Sequence, residues 1–313
     1  MTYARLVSGV SPVRTAVIPA GGLGTRFLPF SRTVAKELLP LVDVPVIDYV
    51  VSECVESGIE RVIIVGAPGK ESLEAYFRPA ERVAARLRSQ GRVDELAALE
   101  RPQRLADVSF VVQEEPRGNG DAVLVARNAV GDEPFAMVWG DDLVVAQPPA
   151  VAQLIAARER QGGGSVACGI RVAPAQASLY GIAAGQRVDD RTVRVSAIVE
   201  KPAPEEAPSD LAVVHGYVLE PEIFAALDAL EPGKGGEIWL ADAVSALARE
   251  APVWAVEIEG RRYDAGERAG YVTAFVDAAL ERDDTGPALR AHLERAGWKA
   301  PAADYLTETS SSL

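Results

Sequence analysis

The chain has 313 residues, 48% of them hydrophobic and 25% charged, which excludes a disordered or collagen-like polymer and allows one large α/β domain or two ordinary ones. Its 32 basic residues stand against 45 acidic ones, and the net charge of −13 argues against a broad basic footprint for nucleic acid. A small anionic ligand needs only a local cluster of donors, which an acidic chain can still supply. The two cysteines, Cys54 and Cys168, lie far apart in apolar surroundings, so they give neither a disulfide framework nor a zinc spacing and fit a reducing compartment. The first residues, MTYARLVSGVSPVRTAV, lack a continuous apolar stretch followed by a small-residue cleavage site. No later run reaches the roughly 18 apolar residues of a membrane span, so a cytoplasmic protein with no membrane partner is expected.

Residues 13–20 (VRTAVIPA) are predicted as a buried strand, 45–57 (PVIDYVVSECVES) as a helix entered at Pro45 and stopped by Gly58, and 61–65 (RVIIV) as a second strand. This β, loop, α, β order implies a parallel sheet. Residues 69–100 read as one or two amphipathic helices. Apolar strands follow at 108–113, 135–140 and 165–172, separated by helical stretches at 120–129 and 148–161. From there the pattern changes: 180–188, 192–199 and 211–219 are strand-like without intervening helices, which makes the sheet mixed. Helices near 221–230 and 237–250, a strand at 253–258, and helices at 267–282 and 286–297 complete the chain. The apolar face of 237–250 (Ile238, Ala241, Val244, Leu247, Ala248) reads as core. There is no internal repeat, 203–209 (APEEAPS) reads as a loop within the fold, and 302–313 (AADYLTETSSSL) read as a frayed tail.

The stretch 20–40 (AGGLGTRFLPFSRTVAKELLP) follows the first strand, where ligands of open α/β sheets bind. Gly21, Gly22 and Gly24 let backbone N–H groups approach a phosphate, while Arg26, Arg32 and Lys36 supply positive charge. Two familiar loops do not fit. The dinucleotide fingerprint needs a glycine where Phe27 stands, and the Walker A loop needs a G-K-S/T ending that is absent. Taken singly, the glycines could be a tight turn, the cations a solvated surface and the pair Asp141-Asp142 a turn or cap.

Read together, G-L-G-T-R-F-L-P and K-E-L-L-P resemble the sugar nucleotidyltransferases, most closely the bacterial UTP–glucose-1-phosphate uridylyltransferases. Further resembling pieces follow in family order. They are VPVIDYVV (44–51), QEEPRGNGDAV (113–123), GDD (140–142), Tyr180-Gly181, VEKP (199–202), GEIWLADAV (236–244) and YDAG (263–266), so the likeness covers about 14–282. It implies a Rossmann-like α/β fold with a central mixed, mostly parallel sheet flanked by helices, with 1–285 as catalytic domain and 286–313 as a C-terminal helix and tail. It also implies a Mg2+-dependent transferase that joins an NTP and a sugar 1-phosphate, with UTP and glucose 1-phosphate favoured, and a homo-oligomer.

Such chemistry brings two polyanions together, and cations must hold them and stabilise the transition state. Arg26 offers a planar fork to the triphosphate and Lys36 a point charge to the reacting phosphate. The resemblance adds Lys201 to these catalytic cations. It assigns the nucleotide to Ala20, Gly21, Gly22, Gly24, Gln113 and Gly118, with Gln113 reading the base through its amide. It assigns the sugar phosphate to Asp142, Gly181, Glu200 and Lys201, Asp142 lying near the sugar or behind the site, and the metal to Asp141 and Asp264.

The chain also departs from that pattern. Arg117 replaces an apolar residue, Asn119 is unusual, and Asp121 stands where a histidine is common. His215-Gly216 replaces Gly-Arg, Ser31-Arg32 replaces Thr-Lys, and Ala35 replaces a proline. ATP, dTTP or GTP, and a modified sugar or cyclitol phosphate, therefore stay open as substrates. A non-catalytic nucleotide-sugar sensor is the reading of another class. The two histidines, His215 and His292, make no triad or metal cluster.

Overall fold

Strands that read as unbroken apolar runs belong to sheets covered on both faces, and the computed structural model, which describes residues 9–298, has such a sheet at its centre. In chain order, β1 (Thr15–Pro19) leads through the glycine-rich loop to a small pair, β2 (Pro40–Leu41) and β3 (Val44–Pro45), and then α1 (Val46–Glu56) and β4 (Arg61–Gly66). Next come α2 (Glu71–Phe77), α3 (Glu81–Ser89), α4 (Val93–Glu100), β5 (Asp107–Val112), α5 (Asn119–Val125), α6 (Arg127–Val130), β6 (Phe135–Val138) and β7 (Asp142–Val145). The second half holds α7 (Ala150–Arg160), β8 (Ser165–Arg171), β9 (Gly181–Arg187), β10 (Thr192–Glu200), β11 (Leu211–Leu219), α8 (Ile223–Asp228) and α9 (Leu240–Leu247). It closes with β12 (Val253–Glu257), β13 (Arg261–Asp264), α10 (Arg268–Glu281) and α11 (Gly286–Arg295).

Nine strands form the main sheet in the order β5-β4-β1-β6-β11-β8-β12-β10-β9. The pairings of β5, β4, β1 and β6 are parallel, as is that of β8 with β12, while β11 and β10 run against their neighbours. The expected mixed sheet is therefore present, but parallel pairings do not predominate. With β11 also pairing antiparallel to β9, four pairings among the described residues are parallel and five antiparallel, because β11 and β10 each run between strands of the other direction. Side chains alternate across it. Ala16, Ile18, Val62, Ile64, Ala136 and Val138 pack with Ile47, Val50 and Cys54 of α1 and Leu154 of α7 on one face. On the other, Val17, Ile63, Val65, Phe135 and Met137 meet Val123 of α5, Ile223 and Leu227 of α8, and Val244 of α9. Both cysteines are fully buried in the first of these layers, and burial pushes their thiols well above the usual range.

The segment 69–100 contains three helices where one or two were expected. Pro79 holds Arg78 in an extended conformation that ends α2, and a left-handed Gly91 separates α3 from α4. The pattern also missed β7 and β13, four residues each, which pair antiparallel with Asp264 opposite Asp142. Isolated strands this short carry too little periodicity to detect. No described helix is long and apolar enough to cross a membrane. The expected tail at 302–313 lies outside the described residues.

Candidate active site

Because β5, β4, β1 and β6 are parallel neighbours, the residues leaving their carboxyl ends share one edge of the sheet. From β1 comes the glycine-rich loop, from β4 the segment reaching Lys70, from β5 Gln113, and from β6 the turn carrying Asp141. Ala20 stays tied to the sheet by donating its N–H to Val65 O at 2.8 Å.

The loop is built from three short 3-10 turns, Thr25–Phe27, Phe30–Arg32 and Lys36–Leu38, and Ser31 Oγ closes it by donating to Gly24 O at 2.7 Å. Lys36, in the third turn, is ion-paired with Asp141, joining the two sequence-predicted groups. Burial disfavours the charge of Lys36, but the carboxylates of Asp141 and Glu37 outweigh it and raise its pKa. Arg26 is exposed, pairs with Glu267 at 2.9 Å, and offers its carbonyl to Arg268 Nε at 2.6 Å. An exposed pair of this kind is worth about 0–1 kcal/mol, so Glu267 does little to hold Arg26 in place. Phe27 packs edge-on against Tyr271, so the loop lies on α10, the helix following Asp264.

Lys70 was not singled out from the sequence. Its ammonium donates to Ala20 O at 2.5 Å and to both oxygens of Glu37 at 3.0 and 3.2 Å. Burial pushes Lys70 down and Glu37 up, so charge here is costly to keep, and the pair fixes the loop from below. A lone lysine after an ordinary strand and Pro-Gly turn gives no spacing signal.

The two acidic corners meet through the β7–β13 pairing. A Cβ added to Gly266 would press on the Asp141 carboxylate and lie 3.1 Å from Asp264 Oδ1, so only glycine leaves the space where these carboxylates converge. Gly266 N–H donates to Asp264 Oδ1 at 3.0 Å. Burial raises the pKa of Asp264; Arg262 opposes this, while Asp142 and Asp141 reinforce it. Among the described residues no group of three or more His, Cys, Asp or Glu is placed to hold a metal. Two carboxylates alone fit Mg2+, which is held by one or two carboxylates together with substrate phosphates, and do not fit a closed zinc site.

Asp142, expected near the sugar phosphate or behind the site, is buried at 4% exposure and bound on all sides. Its carboxylate accepts from Arg262 Nε at 2.9 and 3.0 Å, from Arg262 Nη2 at 2.7 Å, and from the His215 N–H at 3.1 Å. With its oxygens so occupied it serves as a strut. The guanidinium of Arg262 links it to Asp264 at 3.6 Å and lies over the Tyr180 ring at 5.4 Å. Sequence reasoning missed Arg262, whose only signal was its place two residues before Asp264.

Tyr180 carries the chain to the remaining expected residues. Its carbonyl accepts from the Lys201 N–H at 2.9 Å, and Gly181 pairs with Glu200 across β9 and β10. Lys201 and Glu200 are exposed and 3.7 Å apart at their charged ends, available to a ligand. His215 does not line this surface. It is fully buried, with Nδ1 3.1 Å from Asp142 O and Nε2 2.9 Å from Glu53 Oε1.

On the other side, Gln113 is buried and donates to Gly118 O at 3.1 Å and Asp121 Oδ2 at 2.7 Å. Gly118 has φ +98, and a Cβ there would fall 2.5 Å from Ile238 O, so this corner accepts glycine alone. The segment docks on the start of α9 through Gly120 N–H to Ile238 O at 2.9 Å and Leu240 N–H to Asn119 Oδ1 at 2.8 Å.

A glycine-rich loop, a half-buried lysine paired with Asp141, and an amide at the neighbouring strand end gather at one edge of an α/β sheet, an arrangement suited to a nucleoside phosphate. The family model for nucleotidyl transferases matches residues 15–281, and the chain belongs to that family. It is 41% identical over 283 residues to the UTP–glucose-1-phosphate uridylyltransferase YngB of Bacillus subtilis, covering 90% of this chain and 95% of that one. A UTP-bound UGPase from Acinetobacter baumannii superposes with a TM-score of 0.84 at 33% identity, covering 90% and 99% of the two chains. A UDP-glucose pyrophosphorylase complexed with UDP-glucose gives 0.76 at 34%, covering 87% and 100%.

Proposed function

We propose that the protein forms UDP-glucose and pyrophosphate from UTP and glucose 1-phosphate. The observation carrying this reading is the convergence of Lys36, Asp141 and Asp264 beside the glycine-rich loop, in a chain similar over nearly its whole length to uridylyltransferases. A phosphate oxygen of glucose 1-phosphate attacks the α-phosphorus of UTP. The new P–O bond forms as the bond to the bridging oxygen of pyrophosphate breaks, and pyrophosphate leaves with that electron pair.

Backbone N–H groups of Gly21, Gly22 and Gly24 hold the nucleotide phosphates, and Arg26 clamps the triphosphate. Lys36 meets the reacting phosphate. Glu200 accepts from sugar hydroxyls, the Gly181 backbone contacts the sugar, and Lys201 neutralises the sugar phosphate. Asp142 acts through Arg262 by fixing the Asp264 corner. Asp141 and Asp264 would hold Mg2+, which when bound neutralises phosphate charge and orients the oxygens. Alignment and charge neutralisation account for direct displacement with no covalent enzyme intermediate.

The test is pyrophosphate release by purified protein with Mg2+ across a panel of NTPs and sugar 1-phosphates. UTP with glucose 1-phosphate is expected to dominate, and no release with any pair would refute the reading. The same panel decides between UTP and the alternatives ATP, dTTP, GTP, and modified sugar or cyclitol phosphates. The buried reduced cysteines accord with a cytoplasmic enzyme, and sedimentation tests the homo-oligomer. We take 1–285 as the catalytic unit and the segment from 286 as accessory; α11 packs on α10, and a chain ending at 285 should retain turnover.

A further inference from the structure

The residues that distinguish the base-reading segment, Arg117 and Asp121, act on one side chain. Gln113 Nε2 stands between Gly118 O at 3.1 Å and Asp121 Oδ2 at 2.7 Å. A carbonyl and a carboxylate accept and cannot donate, so the terminal atom between them must be the nitrogen, and both its hydrogens are used. Asp121 is 2% exposed, and its other oxygen is held by Arg117 at 3.0 Å. The Gln113 carbonyl oxygen is thereby turned toward Gly21, 3.3 Å from where a Cβ on that glycine would stand. It accepts no hydrogen bond among the described residues. A free amide can present either a donor or an acceptor; this one presents an acceptor alone.

We propose that Asp121, anchored by Arg117, locks Gln113 as a dedicated acceptor for a base-edge N–H and so sets base choice. The locked oxygen favours an imide pyrimidine, whose N3–H points a proton at it, over cytosine, whose N3 carries a lone pair in the same place. Cytosine can offer its amino group only by sliding along its base edge, which draws its α-phosphate away from Lys36. Asp121 is a positioning residue, since it acts through Gln113. The proposal rests on the reading of the site as a nucleotide site given above, and deepens it.

The test compares kcat/KM for UTP, dTTP and CTP, each with glucose 1-phosphate, in the wild type and in Asp121→Ala, Asp121→Asn and Arg117→Ala. In Asp121→Ala the amide keeps only its bond to Gly118 O, so it can turn at lower cost to donate to cytosine N3, and the UTP to CTP ratio should fall about tenfold, chiefly through KM. The dTTP value should follow UTP. Asp121→Asn has one accepting oxygen for two donors, Gln113 and Arg117, so it and Arg117→Ala, a change at an exposed residue, should each lower the ratio by a smaller factor. A ratio unchanged in Arg117→Ala and Asp121→Ala overturns the proposal, as does an equal loss for UTP and CTP, the mark of a structural role. If Asp121→Ala does not fold, the ratio in Arg117→Ala decides by itself: a fall supports the lock, and an unchanged value overturns it. No wild-type turnover with UTP would remove the functional reading instead. Equilibrium binding of UMP and CMP to the wild type and Arg117→Ala would then decide the lock by the same ratio.

Discussion

Replacing His215 by glycine sets two sizeable terms against each other. His215 has φ 58, the left-handed region, where a side chain costs about 1–2 kcal/mol that glycine recovers in part, since glycine also loses more freedom on folding. Against that, the variant loses the bond between Nε2 and Glu53 at 2.9 Å, worth about 1.5–3 kcal/mol when charge-assisted. Glu53, 9% exposed, keeps only the Val151 N–H at 3.0 Å on that oxygen. The fully buried ring also leaves a void costing about 1–2 kcal/mol. The bond between Nδ1 and Asp142 O at 3.1 Å, worth about 1 kcal/mol, is lost as well, and the balance is a loss of about 3–4 kcal/mol, read as a urea midpoint lowered by about 1 M or more at unchanged slope. Burial opposes the charged ring, yet Glu53 and Asp142 outweigh it and hold its pKa above the ordinary 6.5. A raised pKa contributes stability that is full below the unfolded value and fades as pH rises through the folded one. The gap between wild type and His215→Gly should therefore be widest near pH 6 and narrow above it. A glycine variant as stable as the wild type at pH 6, or a gap that widens with pH, would refute this account.

Lys36→Met should lower kcat by a factor on the order of 10²–10³ while circular dichroism stays native, because its charge is spent on the reacting phosphate. Asp141→Asn should abolish Mg2+-dependent turnover, and chelation of the wild type should do the same until Mg2+ is restored, followed by pyrophosphate release. Lys70→Met strands Glu37, 1% exposed, and should cost about 3 kcal/mol by urea unfolding as well as activity. The double change Lys70→Met with Glu37→Leu should recover stability without recovering kcat/KM, which separates burial of charge from support of the glycine-rich loop.

The parallel half of the sheet was legible because β1, β4 and β6 are covered on both faces and so are written as continuous apolar runs. The strand-end positions of Gly21 and Asp141 followed from the same runs, and that of Gln113 from the apolar edge strand β5. What the sequence hid depends on partners far away in the chain. The eight residues of β7 and β13 are ordered by each other, and only their pairing sets Asp264 opposite Asp142. Lys70 and Arg262 acquire meaning only once Glu37 and Asp142 lie against them. His215 carried no sign of its buried partners, because the positive φ at this residue leaves no trace in a single sequence. Asp121 was visible as an unusual letter, but its action on Gln113 required the fold.

The interior placement of Cys54 and Cys168 has a consequence for how this molecule can be observed. The chain has no other cysteines, and both thiols are sealed within the apolar layer between sheet and helices. A thiolate is the reactive form, and burial suppresses it in both. A cysteine introduced at an exposed position, such as Leu23 in the glycine-rich loop, would be the one readily labelled site on an otherwise unaltered chain. A fluorophore there would report movement of the loop as substrates bind, with both native cysteines left in place.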